Sequence, residues 1–464
     1  MTLERILSEP RIQVRVRDGV SLARSDDASS FVVSSEASDG PLSVGPYRPE
    51  YDDANHLLRV GAPLVSLRDS VSARGDAALA ASYLQWLGRL SDRGLIEFPL
   101  VTEGVEHAVI VPQRPSFVPT LSAEVPANAR SLDRFALLRR LDGSWILESP
   151  LVGARFLLSD LDSLDRPAVR CALSAAGFLE ATPAPDDPGS AALAQWEFHD
   201  LLLHHHHRGG WHRDPIGATF PFIGEIDPLP ARRPAWPGNP VPLPSASPSS
   251  SENSFSSVLE GRRSERTCDP TRPITLDALG ALLDRAARAR EFDSITLQDS
   301  AGRSASYEIS FRPYPSAGSC YELEIYPLVA RCEGLDPGLY HYDSVEHQLV
   351  RISSPNLETD MIVFEASNAT SFMASPQIVL IFAARFARVT WKYRALAYGL
   401  ILRNLGALCQ TLYLAATELE LSPCAIGYGN AERFARLTGL DPVVEGSVGE
   451  FVLGGKPLPS RRRG

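Results

Sequence analysis

The chain lacks an excess of basic residues, a paired cysteine motif and a long hydrophobic run, and each absence excludes a class of protein. A formal net charge of −11 argues against a nucleic-acid partner, because phosphate backbones are bound by an excess of lysine and arginine. The six cysteines include no CxxC pair, so neither a zinc ribbon nor a disulfide framework is expected. No apolar run reaches the ~18 residues of a membrane span, and the N-terminus shows no signal-peptide core, so we expect a cytoplasmic protein.

Two patterns that would point to a nicotinamide cofactor or a metal are missing or unsuitable. No GxGxxG motif follows a predicted strand, which argues against a dinucleotide-binding unit. The run His204–His207 is conspicuous, but four consecutive imidazoles cannot all face one ion on a helix or a strand. We therefore expect no metal site and interpret this run as a helix end that packs across a domain boundary.

Length and proline content predict several domains. At 464 residues the chain is too long for one core, so two or three domains are expected. Eight prolines between Pro228 and Pro248, followed by three serines, predict an extended linker or a surface strap, because this composition continues neither a helix nor a sheet. We place a linker at residues 228–252 and a C-terminal domain at residues 253–464.

Residues 1–102 and 103–227 each carry the pattern of a winged-helix-like unit. In the first, short alternating strands precede two predicted amphipathic helices at 56–71 and 78–95, and a wing-like strand follows at Leu95–Phe98. In the second, strand-like alternation precedes a predicted helix and a closing strand. Neither unit is basic enough for DNA, so the expected role is docking of a peptide or partner, or a purely structural one.

The C-terminal domain opens with clustered guanidinium groups. A predicted helix at Phe255–Glu260 leads into a segment with three arginines and a serine. Arginine binds phosphate oxygens in pairs and serine adds a short donor, so this segment suits one phosphate, with a solvated basic turn as the alternative. The candidate phosphate ligands are Arg262, Arg263, Ser264 and Arg266.

A loop of small residues follows further along the domain. A helix at Ile274–Arg290, capped by Thr275, is predicted first. Pro315-Ser316-Ala317-Gly318 then precedes a predicted strand at Leu323–Val329, and small residues let backbone amides approach a flat ligand closely. A tight loop is predicted at Ser422–Tyr428.

A long apolar helix, predicted from Thr390 to Ala416, organises the domain. Its apolar residues recur in steps of three and four, and its other face is apolar too, which predicts burial in a core or between subunits. The stripe consists of Tyr398, Ile401, Leu405, Leu408, Leu412 and Ala415. Lys392 and Tyr393 are an amine and a phenol that can transfer protons if burial shifts their pKa values. The alternative is an amine that reaches the surface beside an interface aromatic.

These segments, in this order over about 200 residues, resemble the nitroreductase fold. More closely, they resemble its SagB-type branch, the flavin-dependent azoline dehydrogenases of thiazole- and oxazole-modified peptide biosynthesis. The matching segments are RRSER at 262–266, PSAG at 315–318, GLDPGLYHY at 334–342, the Lys392-Tyr393 pair, GALCQTLYLAATELELSPCAIG at 406–427 and EFVLG at 450–454. The stretch from Trp196 to Phe220 also looks like a segment of longer members. One departure is Arg394-Ala395-Leu396, which lacks the acidic and glycine positions expected there.

The resemblance implies an α+β fold and a non-covalently bound FMN at the interface of a homodimer, with both chains lining each site. It implies that phosphate and ribityl contacts come from Arg262, Arg263, Ser264 and Arg266, with Arg461–Arg463 as a further candidate. It implies that ring contacts come from Pro315, Ser316, Ala317 and Gly318 on one side and from Cys424, Ala425, Ile426 and Gly427 on the other. Lys392 would remove a proton during dehydrogenation, and Tyr393 would share or relay it.

The implied activity is oxidation of peptide thiazolines or oxazolines to thiazoles or oxazoles, with dioxygen reoxidising the flavin. The implied partners are an azoline-containing precursor peptide, in a pathway of the thiopeptide type for example, and a cyclodehydratase, with no nucleic acid and no membrane. One alternative is an NAD(P)H-dependent nitroreductase or quinone reductase on the same fold. The other is a flavin-free scaffold of a peptide-modifying complex.

Overall fold

The computed structural model describes residues 3–27, 29–35, 41–115, 117–121, 131–179, 188–208, 216–245, 254–299, 302–370 and 375–457. The chain divides into two compact units, Met1–Ile216 and Gly217–Gly464. Hydrophobic clusters lie within each unit, one in the N-terminal unit and two in the C-terminal unit.

The N-terminal unit is built on antiparallel strands. These are β1 (Gln13–Val16), β2 (Val20–Arg24), β3 (Ser30–Ser35), β4 (Leu42–Pro46), β5 (Ala62–Pro63), β6 (Ile96–Thr102), β7 (Val105–Pro112), β8 (Leu137–Leu141), β9 (Ser144–Glu148) and β10 (Ala154–Leu158). Within the described residues the main sheet has the order β5-β1-β6-β7-β10-β9-β8, and β2-β3-β4 form a second sheet. The β6–β7 hairpin crosses the predicted boundary at 102/103. The division into 1–102 and 103–227 stays a prediction.

The described residues of this unit form six α-helices, of which the first four share one core with the sheet. They are α1 (Asp52–Val60), α2 (Leu64–Ser72), α3 (Ala77–Asp92), α4 (Pro167–Ala176), α5 (Pro188–Leu193) and α6 (Phe198–Arg208). The prediction of one helix at 56–71 is wrong, because Gly61 takes a φ of 95° and Pro63 lacks an amide proton, and the two split it into α1 and α2. Helices α1 to α3 followed by the β6–β7 hairpin give the order that a winged helix requires, and both winged-helix assignments stay predictions. The run His204–His207 lies at the end of α6.

The C-terminal unit contains a second antiparallel sheet covered on both faces. The strands of the whole unit are β11 (Gly217–Ala218), β12 (Pro240–Pro242), β13 (Glu291–Gln298), β14 (Ser304–Phe311), β15 (Leu323–Val329), β16 (Gly338–Asp343), β17 (Gln348–Ser353), β18 (Ile378–Arg385), β19 (Tyr393–Arg394), β20 (Leu421–Ile426) and β21 (Glu445–Gly455). The main sheet has the order β12-β17-β16-β15-β18-β21-β20. Strand β18 is buried throughout, and its residues alternate between two cores because successive side chains point to opposite faces.

The helices of this unit form the outer layers. They are α7 (Phe255–Gly261), α8 (Leu276–Ala287), α9 (Leu357–Ala369), α10 (Ala387–Thr390), α11 (Ala397–Glu418) and α12 (Ala431–Thr438). Helices α8 and α11 contribute to the core on one face of the sheet, and α9 and α12 to the core on the other. Thr275 caps α8 as predicted, its hydroxyl accepting from the amide of Ala278. Within the described residues, no helix combines the length and the apolarity needed to cross a membrane.

The proline-rich segment, as far as Ser245, is a strap on the C-terminal unit. Strand β12 pairs with β17 and forms one edge of the main sheet, and the buried guanidinium of Arg385 donates to the carbonyls of Pro230 and Ala231. Proline lacks an amide proton but keeps a carbonyl acceptor, so a proline-rich segment can still be fixed in this way. Residues 246–253 lie outside the described residues, and the linker bounds 228–252 stay a prediction.

The predicted mixed helix-and-strand fold is confirmed, with some local corrections. Ser422–Tyr428 is not a loop, because most of it forms β20 and pairs with β21. The long helix begins only at Ala397, since the residues before it form α10 and the short strand β19. The hairpin of β13 and β14 was not predicted.

Candidate active site

The amine of Lys392 is buried at the start of the segment that leads into α11. Lys392 lies between α10 and β19, and its side chain is 7% exposed. Its Nζ donates a hydrogen bond of 2.9 Å to the carbonyl of Gly318. Strand β11 pairs with β19, and the amide of Phe220 donates to the Lys392 carbonyl, so the backbone on both sides of the lysine is fixed. The Lys-Tyr pair and the small-residue loop, predicted from separate segments, are therefore neighbours.

Gly318 is the point at which these two segments meet. Its φ is 55°, a left-handed conformation that glycine adopts without steric cost. A Cβ placed there would lie 2.4 Å from the Tyr393 hydroxyl oxygen and 2.6 Å from Lys392 Nζ. The two polar atoms are therefore within about 5 Å of each other, directly above an exposed glycine.

Burial shifts the pKa values of both side chains in directions that suit proton transfer. Burial lowers the pKa of Lys392, the Cys320 thiol opposes this change, and the Arg388 guanidinium adds to it. Burial, together with Cys320, raises the pKa of Tyr393. At neutral pH the phenol therefore keeps its proton, while the amine gives up its own more readily than an exposed lysine does.

The small-residue loop is held from behind by a buried polar network. The amide of Ala317 donates to the side-chain oxygen of Asn404 on α11 at 3.0 Å. The Asn404 amide nitrogen donates to both Glu322 carboxylate oxygens, at 2.9 and 3.2 Å, and the Ser316 hydroxyl donates to the same carboxylate. Burial raises the pKa of Glu322. Pro315 and Gly318 remain exposed, so the loop offers an open surface on a fixed backbone.

The arginine segment and strand β20 meet at a second place, around Tyr413. The Ser264 hydroxyl and the Tyr413 hydroxyl are 2.9 Å apart, and the amide of Ala425 donates to the same phenol at 2.7 Å. The Arg262 guanidinium lies 5.3 Å from the centre of the Tyr413 ring. Tyr413 therefore joins two of the segments that the sequence analysis assigned to one ligand.

The remaining predicted ligands differ in their availability. Arg263 donates to the carbonyls of Glu260 and Arg262, whereas within the described residues the Arg266 side chain has no hydrogen bond or ion pair. Ile426 ends β20, and Gly427 follows it on the surface. The tail candidates Arg461–Arg463 lie outside the described residues.

The two groups of predicted ligands lie on opposite sides of α11. Asn404 contacts the small-residue loop and Tyr413 contacts the arginine segment, nine residues further along the helix. At 1.5 Å and 100° per residue, this spacing separates them by about 13 Å along the axis and by half a turn around it. In one chain the small-residue loop and the arginine segment therefore contact separate positions on α11.

Several polar residues that position these groups were not predicted from the sequence. They are Tyr307, Cys320, Glu322, Arg388, Asn404 and Tyr413. Asn404 and Tyr413 carried a usable signal, because a polar side chain inside an apolar helix must find a hydrogen-bond partner when buried. Lys392, which was predicted, also stands out by its rarity, because only it and Lys456 are lysines among the 45 lysines and arginines of the chain.

Residues 259–455 match the model of the nitroreductase family. This match lies within the C-terminal unit and covers less than half of the chain. MJ1384 of Methanocaldococcus jannaschii, named as a nitroreductase, is 34% identical over 120 residues, which cover 26% of this chain and 60% of that protein. The Microcin B17-processing protein McbC of Escherichia coli is 25% identical over 114 residues, which cover 24% of this chain and 42% of McbC.

Solved structures also match this chain, at low identity. The solved E. coli microcin synthetase McbBCD complex, with truncated pro-MccB17 bound, contains a chain of 16% identity, with 60% of this chain and 85% of that chain covered and a TM-score of 0.34. The present chain thus spans 42% to 60% of the length of the curated relatives named above. The family match supports a nitroreductase-like fold in the C-terminal part of the chain and an oxidoreductase.

Proposed function

We propose that the protein is an FMN-dependent dehydrogenase that oxidises peptide thiazolines or oxazolines to thiazoles or oxazoles. The observation that carries the proposal is the meeting of Lys392 Nζ and the Tyr393 hydroxyl at Gly318, in the loop that the SagB-type resemblance assigns to the flavin ring. Similarity to a Microcin B17-processing protein supports a peptide substrate.

The two side chains divide the proton transfer between them. Aromatising an azoline removes a proton from one ring carbon and a hydride from its neighbour, and FMN, when bound, would supply the hydride acceptor. Lys392 takes the proton, because its lowered pKa increases the uncharged fraction of the amine. Tyr393, whose pKa is raised, keeps its proton and donates a hydrogen bond toward the substrate or relays the proton onward.

The arginine segment suits the phosphate of FMN. Within the described residues, neither Arg262 nor Arg266 has a carboxylate partner, and Ser264 is an exposed residue between them in the sequence. Uncompensated guanidinium groups beside a hydroxyl make a phosphate site, even in a chain with a net charge of −11. Arg263 belongs to the same proposal, although part of its guanidinium already binds backbone carbonyls.

The double substitution Arg262→Ala with Arg266→Ala is expected to weaken FMN binding by about 10- to 100-fold for each lost charged hydrogen bond. Riboflavin lacks the phosphate, so its affinity should change little. Titration of the deflavinated protein with FMN and with riboflavin measures both affinities. Arg272→Ala is the matched control, because Arg272 is an exposed arginine a few residues further along. Equal losses for the two flavins would contradict a phosphate site here.

A homodimer would complete each site. The loop at 315–318 and the arginine segment contact α11 nine residues apart, and a second copy of the chain would bring the loop of one subunit beside the arginine segment of the other. Helix α11 also exposes apolar side chains in a single chain, with Tyr398 45% and Leu402 39% exposed. We propose that this face packs between subunits.

The N-terminal unit would dock the peptide or a cyclodehydratase partner. Strand β8 lies at the edge of the main sheet of that unit, and an edge strand can accept an extended peptide by forming backbone hydrogen bonds. Precursor peptide and cyclodehydratase are therefore the proposed partners.

The deciding experiment incubates the purified protein with a thiazoline-bearing peptide in air and follows the mass of the peptide. The expected result is a yellow protein and the loss of two hydrogen atoms per ring. A colourless protein would support the scaffold alternative. The nitroreductase alternative, favoured by the similarity to MJ1384, predicts an unchanged peptide and NAD(P)H-dependent reduction of a nitroaromatic compound.

A further inference from the structure

Arg388 places an unpaired positive charge inside the site. It lies on α10 four residues before Lys392, and its side chain is completely buried. Its Nε and Nη2 donate to the Cys320 carbonyl at 3.0 and 2.9 Å, Nη2 also donates to the Glu308 carbonyl, and Nη1 donates to the Leu229 carbonyl. All these acceptors are backbone carbonyls. Across the described ranges, no carboxylate forms an ion pair with this guanidinium.

Arg388 and Lys392 face the same aromatic ring. The Arg388 Cζ lies 4.5 Å from the centre of the Tyr307 ring, and Lys392 Nζ lies 5.1 Å from it. The Tyr307 hydroxyl donates to the Arg388 carbonyl at 2.7 Å, and Trp391 stacks on the Tyr307 ring. The two cationic groups are therefore held within about 10 Å of each other in a buried setting, where charges are screened less than in water.

We infer that Arg388 is a positioning residue that keeps the Lys392 amine uncharged and ready to accept a proton. A nearby like charge disfavours the charged form of an amine, and a desolvated lysine beside another cationic group is an established way to activate one. Arginine suits this role because it keeps its own charge throughout the working pH range. The use of the uncharged amine as a base rests on the proposed function.

The ionisable groups that surround Lys392 do not supply a negative charge that would neutralise Arg388. Burial raises the pKa values of the Cys320 thiol and of the Tyr307 and Tyr393 phenols, so all three stay neutral at neutral pH. Glu322 lies behind the loop and is hydrogen-bonded to Asn404. The other buried arginine of this segment, Arg385, differs from Arg388 in lying 3.6 Å from the carboxylate of Glu324.

The test follows the lysine side chains directly, since the chain has two of them. Protein labelled with ¹³C at the lysine Cε gives two signals, assigned with Lys456→Arg, whose chemical shifts report the charge of each amine as the pH changes. In Arg388→Gln the Lys392 signal is expected to titrate at higher pH than in the wild-type protein. Each pKa unit regained makes the uncharged amine about tenfold rarer at a given pH below the transition.

Arg385→Gln is the matched control, because it also removes a buried guanidinium that donates to carbonyls of the strap. It should leave the Lys392 titration in place, and an unchanged titration in Arg388→Gln would overturn the inference. If Arg388→Gln does not fold, Arg388→Met takes its place, because it also removes the guanidinium charge and keeps the two lysine signals. Its Lys392 signal should likewise titrate at higher pH than in the wild-type protein, and an unchanged titration would overturn the inference. Failure of the wild-type protein to oxidise azolines would refute the proposed function and leave this titration unaffected.

Discussion

Lys392→Ala is expected to retain its flavin and to lose azoline oxidation by about 10²- to 10⁴-fold, the usual contribution of a positioned acid–base group. The amine is buried and hydrogen-bonded to Gly318, so solvent cannot easily replace it. An arginine side chain cannot act as the base in place of Lys392, because a guanidinium group does not lose its proton in proteins. The measurement is the rate of hydrogen loss from a thiazoline peptide, followed beside the flavin content of the variant from its visible absorption.

Lys456→Ala is the control for this change. It removes the other lysine of the chain, which is exposed after the last strand, and so alters the net charge equally. The control should turn over at the wild-type rate. Wild-type turnover by Lys392→Ala would show that another group takes the proton. Loss of the flavin from this variant would instead assign Lys392 to cofactor binding.

Short segments of the sequence predicted much of the C-terminal unit because their signals are local. Strand β15 was predicted at its observed bounds, and the Thr275 cap of α8 follows from residue type and position alone. Where two local signals competed, as at Gly61 and Pro63 inside an amphipathic pattern, the backbone constraint decided the structure.

The parts of the site that were missed depend on contacts between residues far apart in the chain. Asn404 meets Glu322 across 82 positions, and Tyr413 meets Ser264 across 149. No periodicity in either segment indicates which partner a polar side chain will find. Arg388 is the extreme case, because its acceptors are backbone carbonyls, which carry no signature in the sequence.

The strap illustrates how composition and tertiary contacts answer different questions. Proline content correctly excluded a helix for residues 228–245, but the exclusion of a sheet was wrong, because Pro240–Pro242 form the edge strand β12 of the main sheet. The same composition also fits a free linker and a fixed segment equally well. Carbonyl acceptors for Arg385 and Arg388 make it a fixed segment in this chain. The two arginines that hold the strap lie within eight residues of Lys392, so the strap is part of the structure around the proposed base.

Gly318→Ala is expected to reduce azoline oxidation by about 10²-fold or more while the protein remains folded. The added methyl group would collide with the Tyr393 hydroxyl and with Lys392 Nζ, both at the ends of flexible side chains. These side chains can move aside, so the cost in stability is mainly the left-handed backbone, about 1–2 kcal/mol. The same movement takes both reacting atoms out of position, and a displacement of about 1 Å can cost about 100-fold in rate.

Gly439→Ala separates the backbone cost from the collision. Gly439 ends α12 with a φ of 73°, and a Cβ there would meet nothing within 4 Å. The two variants should therefore lose similar thermal stability, while Gly439→Ala keeps its turnover and Gly318→Ala does not. If Gly318→Ala kept both its flavin and its wild-type turnover, Lys392 and Tyr393 would not react from the positions they hold above the loop, and the assignment of the site to this pair would fail.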